Sequence, residues 1–274
     1  MNIVVVGGGP TGVEVSGALA EMKKYVLPKD FPELDFSNMN IYLLEGADKT
    51  LAAMSEKSSK QSGKYLNRLG VTVMTNTLVK DYDGQNIMLQ NGDEIPTSTV
   101  IWAAGIKGNV PAGIDSSLIG KGNRIKTDRR CLVQGFNNIY AIGDIAYLET
   151  PKFSTGLPQV APVAMQQADL VAGNLRMIER KSNLDRQYEF EYKDKGSMAT
   201  VGRNLAVVDI PKPKLHFGGF FAWLIWMGLH LMLILGVKNR FFVFFNWMYS
   251  YITYDQNLRL IFKVFDRNED AKDS

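Results

Sequence analysis

The sequence predicts a doubly wound α/β fold with a hydrophobic helical tail, on three observations. Short apolar runs alternate with stretches of helical period over the first hundred residues. The first run, Asn2 to Val6 (NIVVV), stops at Gly7-Gly8-Gly9-Pro10 and hands over to a helix. From Phe217 to Tyr254 the chain turns far more apolar, with three of its four tryptophans and the run FFVFF, so a different kind of segment begins there.

Taken in order, Asn2 to Val6 reads as a parallel strand buried on both faces, since three consecutive valines leave no polar side. Val15, Leu19, Met22 and Val26 then recur at helical spacing as one apolar stripe. Asn40 to Leu44 (NIYLL) is a second strand and Val71 to Met74 a third. Between them Met54 to Leu69 reads as helix, with Gly70 where a left-handed residue should close it. Asn86 to Leu89 and Glu94 to Pro96 flank Asn91-Gly92 in the manner of a hairpin, and Thr99 to Ala103 is a further strand. Beyond these, Arg124 to Asp128 and Asn138 to Ile142 read as strands, and Val163 to Ile178 as a helix opened by Pro162. Tyr188 to Tyr192, Ser197 to Val201 and Leu205 to Ile210 read as an antiparallel set.

Composition narrows the chemistry. A chain of 274 residues has room for one large domain or two modest ones. Its 46% hydrophobic and 22% charged residues suit a globular protein, neither disordered nor collagen-like. A net charge of +3, from 31 basic and 28 acidic residues, is too balanced for a dedicated nucleic-acid binder. One cysteine, Cys131, excludes an internal disulfide framework, a CxxC pair and a multi-thiolate zinc site. Two histidines, His216 and His230, exclude a histidine-rich metal centre. Met1 leads directly into the first apolar run, which is not the pattern of a signal peptide.

Gly7, Gly9 and Gly12 supply GxGxxG between a strand and a helix, the context that gives this motif its weight. Gly7 permits the tight turn, Gly9 lets the backbone approach a pyrophosphate, and Gly12 allows close helix–strand packing. The helix N-terminus adds free N–H groups and partial positive charge for phosphate. Glu45 closes the second strand, where a carboxylate can accept both ribose hydroxyls and repel a 2′-phosphate. It lies 33 residues after Gly12 (45 − 12), against a usual spacing of about 20. The extra segment Leu27 to Met39, with two prolines, accounts for the excess. No arginine follows closely, so NADH is favoured over NADPH; a plain strand-end glutamate in solvent is the alternative. Downstream, Asn138 to Asp144 (NIYAIGD) ends a predicted strand in Gly143-Asp144, which is weak alone but strong when paired with an upstream GxGxxG.

Together GGGPTGVEVSGALAE, IWAAGIKG, NIYAIGD and the tail AWLIWMGLHLMLILGVKNRFFVFFNWMYSYITYDQNLRL resemble a type II NADH dehydrogenase. That family is the single-subunit, non-proton-pumping NADH:quinone oxidoreductase of respiratory membranes. The resemblance covers nearly the whole chain, and the tail separates it from soluble relatives in the same flavoprotein superfamily. It implies a Rossmann-type NADH-binding domain at 1–105. The returning part of an FAD-binding domain, with antiparallel strands, follows at 106–210, and membrane-associating helices at 211–274. Members also place a first GxGxxG, which holds the FAD pyrophosphate, upstream of the motif seen here. The resemblance therefore implies the C-terminal part of such an enzyme, with half of an FAD site.

The resemblance further implies FAD and NADH as cofactors, with hydride passing from NADH to flavin and two electrons from flavin to quinone. Gly7, Gly9, Pro10, Thr11, Gly12 and Glu45 would hold NADH. Ala104 and Gly105 match the turn that passes near both cofactors. Gly143 and Asp144 match the residues that hold the ribityl chain of FAD. Glu14 matches the family glutamate near nicotinamide and flavin, thought to orient the nicotinamide and relay protons; a first-turn carboxylate favoured by the helix dipole is the plainer reading. The quinone-side motif AQxAxQ corresponds to Ala161-Pro162-Val163-Ala164-Met165-Gln166. Pro162 replaces its first glutamine, Ala164 is kept, and Gln166 is the retained candidate, with a surface or capping amide as the alternative. Trp102 reads as core packing, and Cys131 as a half-buried structural cysteine rather than a reactive thiol.

Phe217 to Gly236 is 20 residues without Asp, Glu, Lys or Arg, long enough to span a bilayer. A competing reading is a pair of helices lying in one leaflet, with Lys212, Lys214, Lys238, Arg240, Arg259 and Lys263 toward anionic lipid; a third is a buried dimer interface. The resemblance favours the second, a monotopic anchor on the cytoplasmic face of the inner membrane. His230 lies in the apolar run with no carboxylate between Phe217 and Tyr254, which suits local hydrogen bonding and gives no proton-pumping path. Expected partners are quinone and the lipid surface, with a homodimer left open and no nucleic acid. The rival readings are a soluble-acceptor NADH-dependent flavoprotein reductase and a membrane-associated dinucleotide-binding fragment without turnover.

Overall fold

The computed structural model describes residues 1–180 and 187–253. In chain order it builds β1 (Asn2–Val6), α1 (Pro10–Glu21), a short α2 (Leu27–Asp30), β2 (Asn40–Leu44), α3 (Glu56–Leu69) and β3 (Val71–Met74). Then come β4 (Val79–Tyr82), β5 (Asn86–Leu89), β6 (Glu94–Pro96), β7 (Thr99–Trp102), β8 (Ile119–Gly120), β9 (Arg124–Lys126), β10 (Ala146–Tyr147) and α4 (Ala161–Glu179). The last described part holds β11 (Ser197–Gly202), β12 (Leu205–Ile210), β13 (Leu215–Gly218), α5 (Gly219–Leu233) and α6 (Val237–Thr253). The described residues divide into two compact units, one of Met1–Ile101 with Met198–Val208 and 217–253, the other of 102–180 and 187–197 with Asp209–His216.

The first unit is organised by a sheet of order β3-β2-β1-β7, in which β1 pairs parallel with β2 and β2 parallel with β3. Alternate side chains of β1 go to opposite faces. Ile3 and Val5 join Val13, Ile41, Leu43, Leu66, Val201 and Val207 in one core, whereas Val4 and Val6 join Leu44, Ile87, Leu89 and Ile95 in another. The second core is closed by the antiparallel sheet β4-β5-β6. NIVVV is apolar throughout because both of its faces are covered.

Several predicted elements stand as expected. Gly70 closes α3 at φ +89, and Ser55 caps its start by accepting a hydrogen bond from the Ser58 N–H, so α3 begins at Glu56 rather than Met54. The hairpin around Asn91-Gly92 is β5–β6, and Pro162 lies in the first turn of α4. Other expectations are corrected. Asn138 to Ile142 is no strand: its ladder is a single bridge between Leu132 and Tyr140. Tyr188 to Tyr192 is also irregular, although Phe190 is buried and its N–H donates to the Arg129 carbonyl. β4 went unpredicted because three of its four residues are exposed and it lacks apolar alternation.

The predicted apolar stripe of α1 is not its buried side. Gly12, Val13, Ser16, Gly17 and Ala20 face the core, since small residues let the helix sit close, while Val15, Leu19 and Met22 are only partly buried. The single-span reading of the tail also fails. Phe217 and Gly218 belong to β13, and α5 is 15 residues long, about 22 Å against a hydrocarbon core of about 30 Å. Gly236, at φ +85, separates it from α6, and no helix among the described residues is long and apolar enough to cross a membrane.

The second unit packs Cys131, Leu148, Leu157, Val163, Val171 and Phe190 around α4. Arg124 is buried there with donors on the carbonyls of Lys121 and Leu157, and its guanidinium lies 4.9 Å from the Tyr147 ring centroid.

Candidate functional site

The glycine loop has the geometry its spacing predicts. Gly7 adopts φ +107, which a side chain would strain. A Cβ at Gly12 would collide with the Gly7 carbonyl oxygen, so only glycine lets α1 start against the end of β1. A Cβ at Gly9 would meet nothing within 4 Å, leaving open space in front of the loop. α1 has no side-chain N-cap and no acid in its first turn, and Pro10 has no N–H to donate. The N–H groups of Thr11 and Gly12 therefore precede the helical ladder and are suited to an anion.

Glu45 is brought to this loop from the end of β2. One carboxylate oxygen accepts from the Gly8 N–H, and the other accepts from the Ala47 N–H at 2.7 Å. The Leu51 N–H donates to the Gly8 carbonyl at 2.8 Å, so the segment after β2 also holds the loop. Gly7, Gly9, Pro10, Thr11, Gly12 and Glu45 thus form one local cluster.

Glu14 lies in the second turn of α1, not the first, which removes the simple dipole explanation. Its Oε1 accepts from the N–H of Thr200 at 3.2 Å and from the Thr200 hydroxyl at 3.3 Å, both on β11. Two turns further on, Glu21 accepts from the Arg203 N–H. Burial pushes the Glu21 carboxyl above the usual range, while the Arg203 N–H and charge oppose that shift. Between them a Cβ on Gly17 would collide with the Val201 carbonyl, so glycine permits β11 to lie against α1.

The flank of α1 turned away from the sheet lines a cavity of about 860 Å³. Val15, Leu19 and Met22 form one wall, Trp223, Trp226 and Met227 of α5 another, and Phe244, Trp247 and Tyr251 of α6 a third. Glu14, Glu21, Thr200 and Arg203 are its polar edge. The Arg203 guanidinium sits 4.0 Å from the Tyr251 ring centroid, and the Tyr251 hydroxyl donates to Asn204 at 3.2 Å. These contacts tie the last turn of α6 to the β11–β12 turn. His230 stacks on Trp226 at 4.1 Å, and its Nδ1 lies 2.8 Å from the Trp226 carbonyl oxygen, a local interaction as expected.

The second unit holds the remaining candidates. Gly143 adopts φ +71 and faces Ala164, whose Cβ would lie 3.3 Å from a Cβ on it. Its N–H donates to Gln167 Oε1 at 2.7 Å, and Asp144 stays exposed in the turn that follows. Sequence reasoning passed over Gln167, yet it is the buried glutamine; Gln166 is outward, and its amide pairs with the main chain of Lys193 in both directions. Gly105 has φ +89 with open space beside it, and Ala104 accepts from the Trp102 indole at 3.1 Å. Trp102 itself is 61% exposed, which corrects its reading as core. Cys131 is fully buried rather than half-buried, and burial with nearby Asp128 pushes its thiol up to about 12. Among the described residues no cluster could hold a metal ion.

The contacts of Thr200 and Arg203 with the candidate site were not legible in sequence, because their partners Glu14 and Glu21 lie more than 180 residues away. The signal that could have found the contact is the acid–Gly–acid spacing at Glu14, Gly17 and Glu21, one face of a helix.

The family model for pyridine nucleotide-disulphide oxidoreductases matches residues 1–168, and that for the NDH2 C-terminal domain matches residues 195–253. A type II NADH:quinone oxidoreductase, Ndh, of Mycobacterium tuberculosis is 32% identical over 265 residues, covering 92% of this chain and 55% of that protein. A mitochondrial internal alternative NAD(P)H-ubiquinone oxidoreductase of Arabidopsis thaliana is 31% identical over 274 residues, covering 92% and 51%. The chain spans about half the length of the curated relatives it matches. The solved structure of NDH2 from Plasmodium falciparum in complex with NADH superposes with a TM-score of 0.82 at 21% identity, over 94% of this chain and 67% of that one, a likeness of fold.

Proposed function

The chain belongs to the pyridine nucleotide-disulphide oxidoreductase family, and from that premise we propose that it serves a type II, non-proton-pumping NADH:quinone oxidoreductase held on one face of a membrane. The observation that carries this reading is the double use of α1. Its N-terminus is the glycine loop, and its flank is a wall of the apolar cavity under the tail helices. One rigid element thus serves a nucleotide at one end and a lipid-soluble molecule along its side.

NADH is the substrate that the loop and Glu45 suit. The pyrophosphate meets the Thr11 and Gly12 N–H groups across the space that Gly9 leaves open, and Glu45 accepts from the ribose hydroxyls. To do so it exchanges the Gly8 N–H for a ligand donor. Glu14, one turn beyond the phosphate, orients the nicotinamide and passes protons toward quinone.

The residues around Gly143 fit FAD. Gly143, at φ +71, lies close against Ala164, Asp144 is exposed to accept from hydroxyls, and Ile142 and Met165 are exposed apolar neighbours in sequence that a flavin ring would cover. FAD held there would supply the redox chemistry, taking hydride from NADH and giving two electrons to quinone. Gly105 has open space beside it and Ala104 is exposed, so both admit close approach. Gln166 is retained on the quinone side, where it must release Lys193 to reach a ligand. The cavity has the size and lining of a site for an apolar ligand with a few polar groups, and the hydrocarbon part of a quinone suits it.

The tail is the anchor. Phe221, Met232, Leu235, Phe241, Phe242 and Ile252 are exposed on α5, α6 and the link between them. Lys238 and Arg240 lie in the first turn of α6, beside that link, where cations meet anionic lipid on the cytoplasmic face of the inner membrane. The test is NADH oxidation by the FAD-supplied protein with a soluble quinone. The expected outcome is quinone-dependent loss of NADH in equal amounts, and NADH consumption that ignores quinone would overturn the reading.

A further inference from the structure

We propose that Thr200 is a positioning residue for Glu14: its N–H and hydroxyl hold one carboxylate oxygen in place and leave the other available to the ligand. The inference rests on the reading of Glu14 given above.

β11 is the outer strand of its sheet, whose order is β11-β12-β13. Main-chain groups on such an edge need partners from outside the sheet. α1 supplies them from one face, through Glu14 to the Thr200 N–H and Glu21 to the Arg203 N–H, with Gly17 admitting the strand between them. One hydrogen bond at Thr200 would satisfy the strand. The hydroxyl adds a second donor to the same Oε1, which strand pairing does not require. Two donors on one oxygen, at 3.2 and 3.3 Å, restrict the carboxylate's position more than one would. Oε2 makes no hydrogen bond to a described residue, and Glu14 lines the cavity. In the carboxylate form the available oxygen accepts, so the ligand group it then meets is a donor, such as a carboxamide N–H or a hydroquinone O–H. A part-buried acid held from one side only is what a site carboxylate needs.

The experiment combines turnover, NADH affinity and amide exchange in the FAD-supplied full chain. Thr200→Val should lower turnover about tenfold, the size expected when a reacting group loses its placement, and Thr200→Ser should restore most of it. In a Glu14→Gln background Thr200→Val should change turnover by less than about twofold, because residues acting through one another are not additive. Equal losses in both backgrounds would overturn the proposal. Separately, Glu14→Ala should speed exchange of the Thr200 amide about tenfold, as removal of one such acceptor predicts; unchanged exchange would also overturn it. If the wild-type chain shows no NADH:quinone turnover, the functional reading fails, and the same cycle is read in NADH affinity. Non-additive effects there support the positioning role, and additive effects sink it.

Discussion

Glu45 and Gly12 make opposite demands on the chain, one chemical and one steric. Glu45→Ala should weaken NADH binding about tenfold, the scale of lost hydrogen bonds to a charged acceptor. Glu45→Arg should move preference toward NADPH, and a titration showing unchanged preference would sink the ribose assignment. Cys131 gives a second residue-level prediction. With its thiol pushed up to about 12 and fully buried, it should resist thiol reagents at neutral pH until the protein is unfolded; rapid labelling of the native state would contradict this. The glycines and Glu45 were legible in sequence because motif, strand and helix constrain one another within a short stretch. Thr200 was not, since nothing local distinguishes it from any strand threonine. Trp102 misled for a physical reason: it ends an apolar strand, yet its position there is exposed.

At the scale of elements, α1 is read on two faces. Hydrophobic period picks out Val15, Leu19, Met22 and Val26 as one apolar stripe, whereas Gly12, Gly17 and Ala20 make the close packing. Period alone cannot rank two buried faces when one is built of small residues. Gly17→Ala should therefore destabilise the protein by about 1–3 kcal/mol, the usual range of overpacking; denaturant melts showing no change would refute the α1–β11 contact. Glu21 adds a pH signature. Because burial raises its folded pKa, its contribution to stability is present below the ordinary glutamate pKa and is lost as pH rises through the raised value. The stability difference between wild type and Glu21→Gln should shift toward the variant over that rise, measured by denaturation at a series of pH values; a pH-independent difference would contradict it.

Over the whole molecule, the strand–helix order of the first hundred residues and the composition break near Phe217 were legible because both are patterns of long range in sequence. The tail's form was not. Twenty uncharged residues satisfy a length rule for spanning, but β13 takes the first of them and Gly236 ends the run, leaving two shorter helices, α5 and α6, on either side of it. Deleting 217–274 should release the protein from membranes in a flotation assay, and a product still bound to vesicles would refute the anchor. The central claim is that NADH and quinone exchange electrons through a flavin on this chain. It is tested most directly by the anaerobic visible spectrum of the FAD-supplied protein, before and after NADH and again after quinone. The expected result is a flavin band that bleaches with NADH and returns with quinone. A band that NADH leaves unchanged would contradict it.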